Sequence, residues 1–368
     1  MKYKRLSDFA DFRTERTANI TFENYISTEN MIRDKGGIMT VSSLPDAKTT
    51  SAYKTGDILL SNIRPYFKKI WFATQSGSCS NDVLVLKTKK NILPLFLYYV
   101  LSDDNFFNYD TITSKGTKMP RGTPNAIMKY LVPDIQVDKQ TKIASILSAY
   151  DDLIENNNKR IKILEQMAEN LYKEWFVRFR FPGYETAEFE NGIPKGWEVV
   201  RVKNCLKRLP FNRLYKQDEL ESSGKVIVID QSSNEFMGYH NNEPSHYASF
   251  EEPIILFGDH SCKFVLMTKN FSLGENVVPF KSIGTEEFDN YYLYYAVHKL
   301  IVTEEYKRHW GRFTAMKIFK PQIDLQRRFA EFVKQLVYEK EMLWNQKQNL
   351  IKQRDLLLPR LMSGKLEV

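Results

Sequence analysis

From Ile143 to Trp175 one stripe recurs at alternating steps of four and three: Ile143, Leu147, Tyr150, Ile154, Asn157, Ile161, Leu164, Ala168, Leu171, Trp175. Only Asn157 in that stripe is strongly polar. Heptad spacing held for this long predicts a coiled-coil helix, not merely an amphipathic one. A second series, Phe329, Leu336, Leu343, Leu350 and Leu357, places one apolar residue every seven. Two matching seams in one chain predict an intramolecular pair. An asparagine inside a seam either fixes register at a cost in stability or marks a section open to water, and both readings stand.

The first long helix is expected to start near Asp138, after Pro133, and to end near Arg178, before Phe181-Pro182-Gly183. At 1.5 Å per residue it would be about 60 Å long. The second is expected from about Asp324 to Leu358, stopping at Pro359.

What precedes each helix reads as mixed α/β. In residues 1–135 the β-rich runs are 37–43 (GIMTVSS), 57–61 (DILLS), 69–73 (KIWFA) and 82–87 (DVLVLK). Residues 94–101 (PLFLYYVL) are helix-like, and 114–124 (SKGTKMPRGTP) read as an exposed basic loop. Residues 182–196 are rich in Gly, Pro and Glu and read as a linker. In residues 197–320 the strand candidates are 225–229, 253–257 and 263–267. An aromatic helix-like run at 291–297 follows, then a basic, aromatic stretch at 308–314.

The order repeats with a period near 190 residues. Phe96-Leu97-Tyr98-Tyr99-Val100 matches Tyr292-Leu293-Tyr294-Tyr295-Ala296. Ala126 to Lys129, followed by Pro133, matches Ala315 to Ile318, followed by Pro321. Gln140, Ile143 and Ala144 match Gln326, Phe329 and Ala330. The expected fold is α+β: two α/β domains separated by an antiparallel two-helix coiled coil, with a pseudo-twofold internal repeat. Its parts are residues 1–135, 136–181 (first helix), 182–196 (linker), 197–320, and 321–368 (second helix and tail).

With 368 residues, several cores are expected. Net charge is +8, a lean toward a polyanionic partner. The cysteines, Cys79, Cys205 and Cys262, form neither a disulfide framework nor a zinc spacing. No run reaches eighteen apolar residues and the N-terminus lacks a signal-peptide core, so a cytoplasmic protein is expected.

Several stretches resemble the recurring pieces of one family, the specificity subunits of type I restriction–modification systems. They are Gly56-Asp57-Ile58-Leu59 with Ser61 and Arg64-Pro65; Pro133-Asp134-Ile135 with Gln140 and Ile143; Ile193-Pro194-Lys195-Gly196-Trp197; and Leu356 to Lys365 (LLLPRLMSGK). The resemblance spans nearly the whole chain. It implies a non-catalytic subunit with two target-recognition domains, each reading one half of a bipartite target in double-stranded DNA, and helices that act as spacer. It also implies docking of two modification (methyltransferase) subunits and of restriction (translocase and nuclease) subunits. No cofactor is expected in this chain; S-adenosylmethionine, ATP and Mg would belong to those partners. The alternatives are a specificity subunit of a related system with fused methylation and cleavage partners, or a stand-alone DNA-modifying enzyme. The second domain carries Ile254 to His260 (IILFGDH) where the first has GDIL-S-IRP, so the two are expected to read different half-sites.

Catalytic signatures are missing. There is no Asn-Pro-Pro-Tyr-like tetrapeptide and no G-x-x-x-x-G-K, and the five histidines lack metal-ligand spacing. No metal site and no catalytic residue is expected. The candidate DNA contacts are the basic loops: Asn62, Arg64, Tyr66, Lys68, Lys69, Lys115, Lys118 and Arg121, then His260, Ser261, Lys263, Lys307, Arg308, His309 and Arg312. Arginine suits guanine in the major groove and lysine suits phosphate. Arg121 and Arg312 stand out because their loops occupy matching places in the repeat. The charged outward face of the first helix, from Glu155 to Glu174, is the expected docking surface for other subunits.

Overall fold

The computed structural model describes residues 2–232, 234–302 and 307–366. The chain divides into two units, residues 1–156 with 346–368, and residues 157–345. Each combines a globular α/β part with one stretch of both long helices.

In the first unit, strand Tyr3–Arg5 pairs antiparallel with Leu131–Pro133, bringing the ends of the globular part together. Between them lie two four-stranded sheets. One runs Ala10–Phe12, Val83–Thr88, Ile58–Ser61, Ile70–Phe72, all antiparallel. The other runs Arg16–Thr17, Thr50–Tyr53, Gly77–Cys79, Tyr25–Ile26, the last pair parallel. Ile58, Leu60, Leu86, Phe96 and Phe106 join Ile143 and Leu147 of the first long helix and Leu358 and Leu361 of the second in one core. The helix is therefore held by tertiary burial of its apolar face, as long helices in water require.

The second unit repeats the plan. Glu198–Arg201 pairs with Lys317–Lys320. A four-stranded antiparallel sheet runs Leu206–Arg208, Val277–Ser282, Ile254–Gly258, Phe264–Met267. A three-stranded sheet runs Gly238–His240, Val226–Ile229, Phe271–Leu273. Its aromatic helix is Asn290–Val297, whose Tyr292 is fully buried beside Phe176 of the helical stretch (ring centroids 4.7 Å).

The first long helix spans Val137–Tyr172 and widens into a π turn at Lys173–Val177, placing Trp175 and Phe176 in the core. The second spans Ile323–Met362 and runs through Pro359, past the expected stop. The missing N–H costs one backbone bond there, and burial of Leu358, Leu361 and Met362 offsets it. Inside each unit the two helices run antiparallel. Arg354 Nη1 donates to Asp151 Oδ1 at 2.6 Å in the first unit. In the second, Arg160 pairs with Glu339 at 2.9 Å, Lys340 with Glu165 at 3.1 Å, and Trp175 packs on Phe329 and Phe332.

Ile143, Leu147, Asn157, Leu164, Ala168 and Trp175 are buried; Tyr150, Ile154, Ile161 and Leu171 are half-buried. Asn157 is only 5% exposed, against the reading of a section open to water. In the second series Phe329 and Leu343 are buried, Leu336, Leu350 and Leu357 are half-buried, and Val333, Val337 and Leu358 are buried beside them. A 3.6-residue helix drifts past a strict seven-residue repeat, so one residue in seven marks the edge of the stripe.

Two expectations fail. Residues 37–43 form no strand; Gly37 takes φ +84°, and only an isolated bridge joins Ile38 to Met31. Residues 182–196 are folded, with a hairpin of Phe189–Glu190 and Ile193–Pro194, while Phe181 and Phe179 pack on Trp197.

Candidate nucleic-acid interface

The candidate loops follow equivalent strands. In the first unit Ile58–Ser61 ends and Asn62 N donates to Asp82 O (2.8 Å); in the second Ile254–Gly258 ends and Asp259 N donates to Asn276 O (2.9 Å). The next bond is also shared. Gly122 N donates to Asn62 O at 3.0 Å, and His309 N to Asp259 O at 2.8 Å. Asn62 therefore corresponds to Asp259, Gly122 to His309, and Arg121 to Arg308. The expected match of Arg121 with Arg312 is off by four residues, because 310–315 coil into a short helix that carries Arg312.

In the first unit the loop is braced from within. Gly56 takes φ +87°, and Asp57, only 4% exposed, accepts Arg13 Nε at 2.6 Å, Arg13 Nη2 at 2.9 Å and Lys54 N at 2.7 Å. Asp57 beside it raises the Arg13 pKa still further. Arg64 turns into the left-handed region (φ +52°), donates its N–H to Pro120 O, and is half-buried over Phe67. Arg121 exchanges both backbone bonds with Lys115, and its side chain pairs with Asp82 at 2.7 Å while half exposed. Lys115, Lys118 and Tyr66 are exposed; Lys68 pairs with Asp104 at 3.0 Å.

Lys69 and Lys263 turn inward. Lys69 Nζ donates to Thr28 O at 2.5 Å, and Lys263 Nζ to Asn234 O at 2.5 Å and Asp230 O at 3.3 Å. Burial lowers the pKa of both ammonium groups. They are structural clamps, equivalent in the repeat because Ser61 N bonds Lys69 O as Gly258 N bonds Lys263 O. His309 is likewise fully buried, so its ring is no surface contact. His260 is half-buried with its N–H on Gln231 Oε1, and Ser261 is exposed. Lys307, Arg308 and Arg312 are exposed. The Asp259 carboxylate accepts the N–H of His309 (3.0 Å) and Trp310 (2.8 Å), which makes it a cap of the 310–315 turn.

Sequence reasoning missed Asp110. It is fully buried in helix Asp104–Thr113, its two carboxylate oxygens have no hydrogen-bond partner, and burial pushes its pKa up to about 7. A Cβ at Gly122 would lie 2.7 Å from Asp110 Oδ1 and 3.0 Å from Asn62 Oδ1, so this glycine lets the loop close on the helix. No sequence signal marks an aspartate in an amphipathic helix as internal. Asn62 Oδ1 and Arg64 Nε are buried without partners as well.

Among the described residues no cluster of three or more His, Cys, Asp or Glu could hold a metal ion, and no helix is long and apolar enough to cross a membrane. The three cysteines are buried, and desolvation pushes the Cys79 and Cys205 thiols up to about 12.

Comparison with known proteins agrees with this arrangement. Residues 1–166 match the type I restriction modification DNA specificity domain. The type I restriction enzyme MjaIX specificity subunit of Methanocaldococcus jannaschii is 28% identical, covering 76% of this chain and 71% of its own. The HindI specificity subunit of Haemophilus influenzae is 29% identical over 42% of this chain and 36% of its own. The crystal structure of the S subunit of a type I restriction–modification system from M. genitalium shares the fold, with a TM-score of 0.54 at 14% identity over 98% of this chain and 95% of that one. With the duplicated strand-end loops and the paired helices, these likenesses make the chain similar to the specificity subunits of type I restriction–modification systems.

Proposed function

We propose that this chain is the non-catalytic DNA-recognition subunit of a type I restriction–modification complex, each globular part reading one half of a bipartite target in duplex DNA. The observation that carries this reading is the duplicated loop cluster: the same strand end in both units presents an exposed arginine, Arg121 or Arg308, beside further exposed cations, Lys115 and Lys118 or Lys307 and Arg312. Arginine and lysine there supply base contact and phosphate neutralisation. The pieces that differ between the units, Asn62 against Asp259 and Gly122 against His309, favour different half-sites.

The long helices serve as spacer, and their outer surfaces as docking sites. On the first helix many charges are already spent: Glu169 pairs with Lys173 and Lys299, which hold its pKa down at about 2, and Glu165 pairs with Lys340. Apolar side chains at four-residue steps stay exposed, Ile163 with Met167 and Tyr338 with Met342, and these are the anchors for two modification subunits. Those subunits would hold S-adenosylmethionine, and restriction subunits ATP and Mg, in the cytoplasm. Deleting one heptad from each helix while keeping both loop clusters tests the reading by methylome sequencing. The gap between half-sites should change with the half-sites intact; altered half-sites at an unchanged gap would refute the spacer.

A further inference from the structure

The second unit carries a cavity of about 430 Å³ at its loop cluster, lined by Arg208, Phe211, Asp259, Asn276, Arg308 and Trp310. Its wall is a set of flat groups. The Arg208 guanidinium lies 4.5 Å from the Phe211 ring centroid and 5.9 Å from that of Trp310. Trp310 is fixed from the core side by Phe257, Phe280 and Phe313, at ring-centroid distances of 5.9, 5.8 and 5.5 Å. Asp259 is fixed too, its carboxylate taken by the N–H groups of His309 and Trp310. Arg308 lies 3.9 Å from Asp259 with its side chain 80% exposed at the mouth.

Flat aromatic and guanidinium surfaces, a fixed carboxylate and a cationic mouth suit a planar heteroaromatic group that carries hydrogen-bond donors and hangs on an anionic chain. The volume falls in the range of small-ligand sites. In the first unit the equivalent places hold other side chains. By strand register Arg208 corresponds to Phe12, since Leu206 faces Ser282 as Ala10 faces Thr88, and Trp310 corresponds to Thr123, the residue after Gly122.

We propose that this cavity receives one unstacked nucleobase of the bound DNA, so that the second unit reads one position through an extruded base while the first reads a stacked duplex. The proposal rests on the DNA-reading function. Extrusion costs least where the base is already unpaired, and stacking on aromatic or guanidinium planes repays it. The carboxylate of Asp259 would accept from a ring or exocyclic N–H of the base, the N3–H in the case of thymine, and Arg308 would neutralise the adjoining phosphate.

The test titrates the full chain with duplexes containing its methylated target, each with one thymine placed opposite an abasic site, scanned along both half-sites and compared with the fully paired duplex. At one or two positions of one half-site only, the unpaired thymine should tighten binding roughly five- to hundredfold. 5-Iodouracil at that position should photocrosslink to Trp310 or Phe211. Phe211→Ala, at an exposed ring, should abolish the gain at that position, and a gain left intact would overturn the pocket. Normal binding of the paired duplex with no gain at any position overturns the base pocket alone. Binding of no duplex at all overturns the DNA-reading function, and the pocket with it.

Discussion

Gln140 and Gln326 perform the same task in the two units. Each is buried in the first turns of its long helix, at 1% and 0% exposure. Gln140 Nε2 donates to Ile135 O at 2.8 Å and Oε1 accepts from Leu93 N at 2.8 Å; Gln326 Nε2 donates to Pro321 O at 2.8 Å and Oε1 accepts from Asp289 N at 3.1 Å. Leu93 and Asp289 are the residues that cap the two aromatic helices. One amide side chain thus ties the start of a long helix to the start of the aromatic helix, joining the globular part to that helix.

Replacing either glutamine by alanine strands a buried donor and a buried acceptor, at about 1–3 kcal/mol for each group left unpaired. Gln140→Ala and Gln326→Ala should each lower the urea midpoint. Hydrogen exchange should locate the loss in residues 1–156 with 346–368 for the first and in 157–345 for the second. Loss spread equally over both units would show that the repeat does not partition stability.

Asp57 belongs to the most recognisable phrase of the first unit, yet it faces inward to Arg13. Breaking a buried, doubly bonded ion pair by removing one partner costs about 3 kcal/mol or more. Asp57→Ala should destabilise the first unit by that order, and at a permissive temperature the methylated target should keep both half-sites. A changed half-site under those conditions would assign Asp57 to DNA reading.

Asp110 gives the first unit a pH dependence. Its folded-state pKa of about 7 lies above the ordinary 3.8. The folded state therefore holds this proton more tightly than the unfolded chain. Its favourable contribution is complete below about pH 4 and is lost as pH rises through about 7, with an upper bound of about 4 kcal/mol. Asp110→Asn should raise the urea midpoint at pH 8 and change little at pH 4. A gain of equal size at both pH values would exclude titration of this carboxyl as the cause. Gly122→Ala, which drives a methyl group against Asp110 and Asn62, should destabilise at either pH.

The long helices, the doubled order of elements and the aromatic helices were legible because periodicity and apolar runs are local signals. The Gln140–Gln326 match was visible as letters, although its meaning needed the bonds. Three features were not legible. Lys69 and Lys263 look like exposed loop cations, but their ammonium groups reach backbone carbonyls that only the folded loops bring near. Asp110 looks like the polar side of a helix, and it is internal because the loop holding Gly122 folds over it. Arg312 looked equivalent to Arg121 because counting along the chain cannot register where the backbone bond to the strand end falls, and that bond selects Arg308.

The corrected correspondence sets the last prediction. Arg121 and Arg308 each precede the residue whose N–H bonds the strand-end carbonyl, so their side chains leave equivalent loops from equivalent points. Arg121 is held by Asp82, while Arg308 sits 3.9 Å from Asp259 and is 80% exposed. A held arginine loses less side-chain entropy on binding and presents a defined fork, which suits bidentate reading of a base; an extended, exposed one suits phosphate. Arg121→Ala should therefore relax one position of the first half-site by about 1–3 kcal/mol and leave the second unchanged. Arg308→Ala should weaken binding to all sequences and reduce the salt dependence by about one phosphate contact. Competition binding at two salt concentrations, followed by methylome sequencing of each variant, separates the two. If Arg121→Ala weakened every sequence equally, the arginine would be reassigned to the backbone of the DNA.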